Sequence, residues 1–298
     1  MKRFLKDIVV GAVVLLVVFG GAEWIVETIP NSYTCKRDYM EQHGGEVRTL
    51  ILGSSNAYDG INPIVLPHAF NLANSSQTLE DDYRLLERYI DDMDSLQTVI
   101  VGLGYHSLGA VTEDNRRTYY TIYMGLYPRW PISKYSCEVF NLELLTKKII
   151  KYVVSRDVTR CDSLGQRVGH TAEAVKERKE FWNKDAAALA ANDRIECRDE
   201  NVASRVKINV GFLKAIINMC EMHHVQPVIV TMPVMKEYKE ALPPEQIALH
   251  DSVMCGLPIG TMYIDASDWE IPDDGWYNAT HLTKEESVEF TERLLQQR

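Results

Sequence analysis

Two residues of this chain have the side-chain types and positions that nucleophilic catalysis needs. Ser55 follows the run 47–53, which ends in a glycine, and His281 lies in the loop just before the last helical segment. A hydroxyl at the end of a strand projects into a crevice, where the amides of the turn can bind a developing oxyanion. A histidine in the later loop can act as the general base of that serine. The alternatives are a helix cap for Ser55 and a surface loop position for His281.

The elements that must bring these residues together belong to an α/β sheet. Three apolar runs rich in β-branched residues predict buried strands at 47–53, 98–104 and 225–232. The segment 69–73 is a short strand candidate, and 262–265 is a further predicted strand. Helical spacing predicts helices at 79–93, 202–224, 244–254 and 284–297. This alternation indicates a parallel sheet covered on both faces, in which ligands bind at the carboxyl ends of the strands.

The chain organisation follows from the remaining segments. Residues 1–30 are interpreted as a signal anchor or signal peptide, residues 31–46 as a polar connector and residues 47–298 as the catalytic-type domain. Within that domain, 54–67 resembles a loop because of its glycine and proline residues. Residues 105–201 lack strand alternation, and we expect a mostly helical insertion there.

The N-terminus predicts export. Residues 1–6 carry three positive charges, and 8–22 is an uncharged apolar run. A basic start followed by such a run directs the remainder of the chain out of the cytoplasm. An uncleaved anchor with Trp24 at the interface is favoured, and cleavage near Gly20-Gly21-Ala22 is the alternative. We therefore expect an N-terminal membrane anchor and a body in the periplasm or at the cell surface.

Composition excludes several classes of protein. The 298 residues are 46% hydrophobic and 25% charged, which is typical of a globular protein and not of a disordered one. The net charge of −10 argues against a nucleic-acid partner. The six cysteines form no CxxC pair, so a structural zinc site is not expected, while disulfides and free thiols both stay open.

Four short segments then resemble the conserved blocks of one enzyme group, in that group's order. They are ILGSS at 51–55, NLANSS at 71–76, LGYH at 103–106 and NATH at 278–281. On these segments the chain resembles the SGNH (GDSL-type) esterase and acyltransferase superfamily. The resemblance implies a three-layer α/β/α, flavodoxin-like parallel sheet with the helical insertion added to it.

The resemblance also implies roles for individual residues. Ser55 stands at the nucleophile and His281 at the general base, with Asn278 where an aspartate usually orients the histidine. Three alternatives to Asn278 stay open: Asp274, Asp265 or a backbone carbonyl could orient that histidine.

The oxyanion would be held by the amides of Ser55 and Ser76 together with His106. Ser76 replaces the usual glycine, and His106 replaces the usual asparagine. Ser54, where many members have aspartate, and Asn56 complete the substrate-binding set. No metal or organic cofactor is implied.

The anchored, exported variants of the superfamily imply the function. We expect serine-dependent acyl transfer or ester hydrolysis of O-acetyl or O-acyl groups on an extracytoplasmic polysaccharide or envelope polymer. A membrane acyltransferase is a further candidate partner. The alternative is an inactive scaffold that binds glycan or such a partner, which the departures at 54, 76, 106 and 278 favour. A group of aromatic residues fits sugar stacking or, as the favoured interpretation, the core of the insertion: Tyr119, Tyr120, Tyr123, Tyr127 and Trp130.

Overall fold

A computed structural model of the protein describes residues 2–155, 161–176 and 182–297. In chain order the elements are α1 (Lys2–Glu27), α2 (Ser32–His43), β1 (Thr49–Gly53), α3 (Ser55–Gly60), β2 (Ala69–Asn71), α4 (Leu79–Tyr89), β3 (Thr98–Leu103), α5 (Asp114–Ile122), α6 (Leu142–Ser155), α7 (Ala172–Lys176), α8 (Trp182–Asn192), α9 (Glu200–Met222), β4 (Gln226–Thr231), α10 (Lys236–Ala241), α11 (Pro244–Cys255), β5 (Met262–Asp265), β6 (Trp276–Asn278), β7 (His281–Leu282) and α12 (Lys284–Leu295).

The central sheet contains the five predicted strands, all parallel, in the order β2-β1-β3-β4-β5. This is the flavodoxin-like order of a doubly wound α/β fold. Every residue of β1 and β3 is buried. Because successive side chains of a strand point to opposite faces, both faces of the sheet are covered. The predicted fold class is therefore confirmed.

The chain divides into two compact units. The helical unit consists of Met1–Asp38 and Glu113–Thr159, and the sheet unit of Tyr39–Thr112 and Arg160–Arg298. The described residues of the predicted insertion contain α5 to α8 and the start of α9, and none of them joins the five-stranded sheet. Only its part 113–159 groups with the N-terminal residues, whereas the rest belongs to the sheet unit.

Two local predictions need correction. The segment 54–67, interpreted as a loop, begins with helix α3, and the polar connector 31–46 contains helix α2. Helix α3 forms on top of the sheet, where Gly102 gives it room, because a Cβ at Gly102 would lie 2.7 Å from the Cβ of Ala57. Tertiary packing thus overrides the weak helix propensity of the sequence SNAYDG.

In the helical unit, Arg3–Glu27 is the one helix of the described residues that is long and apolar enough to cross a membrane. A signal sequence would satisfy the same length and composition. The aromatic group of this unit is mostly core: Tyr120, Tyr123 and Tyr127 are buried, which excludes them as sugar-stacking rings, whereas Trp130 is exposed.

Candidate active site

The candidate site lies at the carboxyl ends of β1 and β3. The chain leaves β1 toward β2 on one side, while β3 pairs with β1 on the other. In a doubly wound sheet, the crevice at such a switch in strand order is where ligands bind. Ser54, Ser55 and Asn56 follow β1, and His106 follows β3.

The turn between β1 and α3 is tightly held. Gly53 has a φ of 127°, and a Cβ there would lie 2.3 Å from the carbonyl oxygen of Gly102, so only glycine fits. The Gly53 amide donates to Oδ1 of the buried Asp82 at 2.9 Å. Burial raises the pKa of Asp82 to about 7. The backbone of the turn before Ser55 is therefore held in place by its close approach to Gly102 and by its hydrogen bond to Asp82.

Ser55 is the first residue of α3 and is partly exposed. The residue that precedes the helix is Ser54, so the helix-cap alternative for Ser55 is wrong. The Ser54 hydroxyl donates to Asn56 Oδ1 at 3.1 Å instead of capping the helix. Within the described residues, the Ser55 hydroxyl makes no hydrogen bond, neither to His281 nor to another group.

His281 lies on the small β6-β7 sheet, which the sequence did not predict. Its Nδ1 lies 2.8 Å from Asn278 Oδ1 and 3.0 Å from the Thr280 hydroxyl. Because the Asn278 Oδ1 can only accept, Nδ1 carries the proton, and Nε2 keeps its lone pair. Burial lowers the pKa of His281 to about 4, against an opposing contribution from the carboxylate of Asp59. A neutral imidazole with a free Nε2 can act as a general base.

The acidic neighbour of His281 is Asp59, a residue that no motif in the sequence indicated. Asp59 Oδ2 lies 3.7 Å from His281 Nε2, and the carboxylate is almost fully buried. Asp265 and Asp274, the expected alternatives, are both exposed. Residues four apart lie on the same face of a helix, so Asp59 and Ser55 share one face of α3. Recognising 55–60 as a helix would have brought Asp59 into consideration.

Two further basic side chains surround Asp59. Arg167 Nε lies 2.7 Å from Asp59 Oδ1, and His170 Nδ1 lies 3.3 Å from the same oxygen. None of these contacts has the geometry of a hydrogen bond, and the contact between Arg167 and Asp59 joins two opposite charges. The ring of His170 stacks on Tyr277 with centroids 3.6 Å apart. The segment 161–170 thereby forms one wall beside His281, which its sequence gave no reason to expect.

That wall is tied to the sheet by amide side chains. Asn71 Nδ2 donates to Gln166 Oε1 at 3.0 Å, and Gln166 Nε2 donates to the carbonyl of Asp59 at 3.0 Å. Arg167 also donates to the Ser75 hydroxyl. These bonds join β2, the 161–170 segment and α3, so Arg167 is held firmly beside Asp59.

Ser76 adopts the backbone conformation that glycine favours. Its φ is 55°, in the left-handed region. The preceding turn is attached to the end of β1, since the amide of Asn74 donates to the carbonyl of Gly53 at 3.2 Å.

His106 and Asn56 approach each other above Gly104. A Cβ at Gly104 would lie 2.8 Å from the His106 ring and 3.3 Å from Asn56 Oδ1. Asn56 Nδ2 donates to the carbonyl of Thr280 at 2.9 Å, which connects α3 to the turn that carries His281. His106 Nδ1 lies 3.7 Å from Asp193 Oδ2, an acidic partner that sequence reasoning missed.

Most of the expected site residues meet at one edge of the sheet. Helix α3 meets the turn of Asn278 and His281 through Asn56 and Asp59, and Ser54 joins through its bond to Asn56, whereas Ser55 is placed there only by its position in α3. His106 joins them from the end of β3 through its proximity to Asn56. Across the described residues, no group of three or more His, Cys, Asp or Glu side chains is arranged to hold a metal ion.

The comparisons with known proteins concern the fold. No protein-family model matches the chain, and neither does any curated protein. Among solved structures, it is similar to a GDSL-like lipase from Bacteroides thetaiotaomicron, with 10% identity and a TM-score of 0.42 over 89% of this chain and 97% of the other. It is also similar to a candidate acylhydrolase from Bacteroides fragilis, with 11% identity and a TM-score of 0.40 over 87% and 92%. The function of the chain therefore has to be argued from its own residues and geometry.

Proposed function

We propose that the protein is a serine-dependent esterase or acyltransferase of the SGNH type. The observation that carries the proposal is the shared face of α3: Ser55 and Asp59 stand one turn apart, and Asp59 lies 3.7 Å from Nε2 of His281. His281 is in turn held through Nδ1 by Asn278. A nucleophile, a neutral base and a group that orients the base are the parts that such chemistry needs.

The reaction begins when Ser55 Oγ attacks the carbonyl carbon of an acyl ester. His281 Nε2 takes the hydroxyl proton and returns it to the leaving alcohol, which leaves an acyl group on Ser55. Asn278 keeps the other imidazole proton on Nδ1, and Asp59 stabilises the imidazolium while it exists. Water or a second hydroxyl group then attacks the acyl-serine with His281 again as base, giving hydrolysis or transfer.

The developing oxyanion would be bound by the amides of Ser55 and Ser76 with His106. Fixed donors are effective because they need no reorganisation during the reaction. The left-handed backbone at Ser76 supports this assignment, because it matches the conformation that a glycine would supply. Ser54 and Asn56 complete the walls that contact substrate. No metal or organic cofactor enters these steps.

The substrate that we propose is an O-acylated polysaccharide or envelope polymer outside the cytoplasm. The basic start of the chain and the apolar helix α1 support a membrane anchor with an external body. An enzyme anchored at the membrane lies next to the polymers of the envelope, so we propose such a polymer, and not a free lipid, as its substrate. The partner that we propose is a membrane acyltransferase that supplies acyl groups, because an anchored protein lies in the same membrane.

Labelling with a fluorophosphonate tests the proposal. The full chain in lipid nanodiscs should become labelled at Ser55, because attack on phosphorus expels fluoride and needs the same base. Ser55→Ala and His281→Ala should lose the label. Ser252→Ala is the matched control, since Ser252 is an exposed serine of α11, and it should label as the wild type does.

An inactive scaffold that binds glycan or a membrane acyltransferase is the second candidate. The observation that favours it is the absence, among the described residues, of a hydrogen bond from the Ser55 hydroxyl. Catalytic hydrogen bonds are often long without substrate and tighten only in the complex. A folded wild-type protein that takes up no fluorophosphonate, yet binds acetylated glycan in calorimetry, would decide for the scaffold.

A further inference from the structure

Helix α6 of the helical unit turns its apolar side chains outward. Ile149, Ile150, Val153 and Val154 are 40%, 57%, 63% and 79% exposed. At about 100° per residue, these four gather on the side of the helix opposite Lys148, which is buried. A surface helix of a globular protein has the reverse arrangement, with its apolar stripe toward the core. We therefore expect the outward apolar face of α6 to be covered by something other than water.

A buried ion pair fixes this orientation of α6. Lys148 Nζ lies 2.8 Å from Glu138 Oε1, and neither side chain is more than 3% exposed. The same ammonium donates to the carbonyl of Val26 at 2.9 Å, and the Tyr123 hydroxyl bonds to Glu138. Rotating α6 to bury its valines would strip a buried charge of its partner, which is strongly unfavourable. The buried ion pair thus keeps the apolar residues of α6 on the outward face of the helix.

The C-terminal end of α1 is packed into the same assembly. Val26, which accepts the bond from Lys148, belongs to α1. Glu23, also on α1, accepts from the amides of Glu138 and Val139 at 2.9 and 3.0 Å. If α1 spans a bilayer, its C-terminal end lies near the surface of that bilayer. The contacts of Val26 and Glu23 then hold α6 near the surface of the bilayer as well.

A second segment reaches this end of α1. Arg129 pairs with Glu27 at 2.9 Å, and the next residue, Trp130, is 75% exposed. Ile132 is also highly exposed. Tryptophan is enriched where protein crosses from hydrocarbon to water, because its ring is apolar and its N–H is polar. An arginine beside it suits the phosphates of lipid headgroups.

Exposed apolar side chains are concentrated in this region. Outside α1, thirteen large apolar side chains of the described residues are highly exposed, and seven of them lie between Trp130 and Val154. The other six are scattered along the sheet unit. Scattered apolar residues are normal on a protein surface, whereas a concentration of them marks an interaction site.

From these observations we infer that Trp130, Ile132, Ile150, Val153 and Val154 form a foot that is embedded in the headgroup layer of the membrane that α1 enters. The inference rests on the anchor in the proposed function, and it adds a second contact of the protein with lipid. A bilayer is the occupant, in preference to a second copy of the chain, because the foot is continuous with the end of the apolar helix. An outward apolar helix face is the mark of an interfacial helix.

Site-specific photocrosslinking to lipid tests the foot. A benzophenone amino acid replaces Ile150 or Val154 in the full chain, which is reconstituted in phosphatidylcholine–phosphatidylglycerol vesicles and irradiated. Both side chains point outward, so the larger ring does not disturb the core. Leu15 within α1 is the positive reference, and Ile259, a fully exposed apolar residue of the sheet unit, is the matched control.

We expect lipid adducts at Ile150 and Val154 at about ten times the yield at Ile259 and within a few fold of the yield at Leu15. A yield equal to that at Ile259 overturns the foot. Adducts to a second protein chain overturn it as well, because they show that another molecule covers this face. Fluorophosphonate labelling of the same samples reports on Ser55 separately, so loss of the foot and loss of the proposed catalysis remain distinguishable.

Discussion

Replacing Asp59 with asparagine removes one negative charge beside His281 and keeps the shape of the side chain. In the proposed mechanism, that charge stabilises the imidazolium formed during attack. The distance of 3.7 Å between Asp59 Oδ2 and His281 Nε2 corresponds to about 4 kcal/mol at an effective dielectric constant of about 20. Arg167 and His170 share the same carboxylate, so about 2–4 kcal/mol is the range expected. That equals roughly a 30- to 900-fold loss of kcat.

The pH dependence of Asp59→Asn gives a second, independent signature. Burial lowers the pKa of His281, and the carboxylate of Asp59 opposes that effect. Without the carboxylate, the pKa of His281 falls below its value of about 4, and the acid limb of kcat/KM moves to lower pH. A slower enzyme that is active at more acidic pH is not what simple unfolding produces.

The assay is hydrolysis of 4-nitrophenyl acetate by the full chain in nanodiscs, from about pH 3 to about pH 8, a range chosen to bracket the histidine pKa. Asp59→Asn leaves Arg167 buried without its partner, which costs stability of about 3–5 kcal/mol. Rates are therefore compared below the unfolding temperature of the variant. Asp268→Asn is the control, because Asp268 is a mostly exposed carboxylate paired with Lys239. A folded Asp59→Asn protein with unchanged kcat and an unchanged acid limb would refute the assigned role.

The remaining predictions address the catalytic pair, its orientation and the anchor. Ser55→Ala and His281→Ala should each abolish most activity, and the double variant should lose little more than either; additive losses would speak against one catalytic unit. Asn278→Asp should keep or raise kcat, because a carboxylate stabilises imidazolium better than an amide does, and a large drop in kcat would contradict this reasoning. By nitrogen NMR, His281 should stay neutral with its proton on Nδ1 above about pH 4, and a transition near its unperturbed value would exclude the burial effect. Membrane-extracted protein should retain Met1 or its processed neighbour by mass spectrometry, and a reporter fused after Arg298 should work only outside the cytoplasm; a chain starting after residue 22 would indicate a signal peptide.

The strands were predictable because a buried parallel strand has a local signature. The runs at 47–53 and 98–104 are continuous, β-branched and apolar. Such a run avoids water only in a strand of a sheet that is covered on both faces. β1 and β3 lie within these two runs, trimmed by one or two residues at their ends. Because Ser55 follows the first run so closely, the amino-acid sequence alone was enough to place it at the end of a strand.

Helix α3 was not predictable from its own residues. It contains asparagine, aspartate and glycine, and Pro63 follows soon after, which is the composition of a loop. Its stability comes from contacts with the sheet over Gly102 and from the bond between Asn56 Nδ2 and the carbonyl of Thr280, a residue more than two hundred positions away. Such distant partners leave no trace in a local pattern.

The charged partners of the site were missed for the same reason. Arg167 lies in the segment 161–170, and Asp193 lies at the end of α8, both within the part of the chain where periodicity was weakest. Nothing in either neighbourhood indicates that Arg167 reaches Asp59 or that Asp193 reaches His106. By contrast, the bond between Asn278 and His281 spans only three residues, and the resemblance of NATH to the last superfamily block implied it.

The arrangement around Asp59 explains how His281 can be neutral at rest and still be helped when it becomes charged. Burial is the largest cause of the low pKa of His281, and Arg167, whose Nε lies 2.7 Å from Asp59 Oδ1, lowers it further, while the carboxylate of Asp59 opposes both effects. In the proposed mechanism the imidazole takes the proton of Ser55, and the carboxylate is then already in place and needs no reorganisation. That mechanism assigns orientation to Asn278 and charge to Asp59, two tasks that a single aspartate performs in the usual triad. The departure at position 278 thus coincides with an acidic group placed on the opposite side of the ring, which is why Asp59 is the first residue to test.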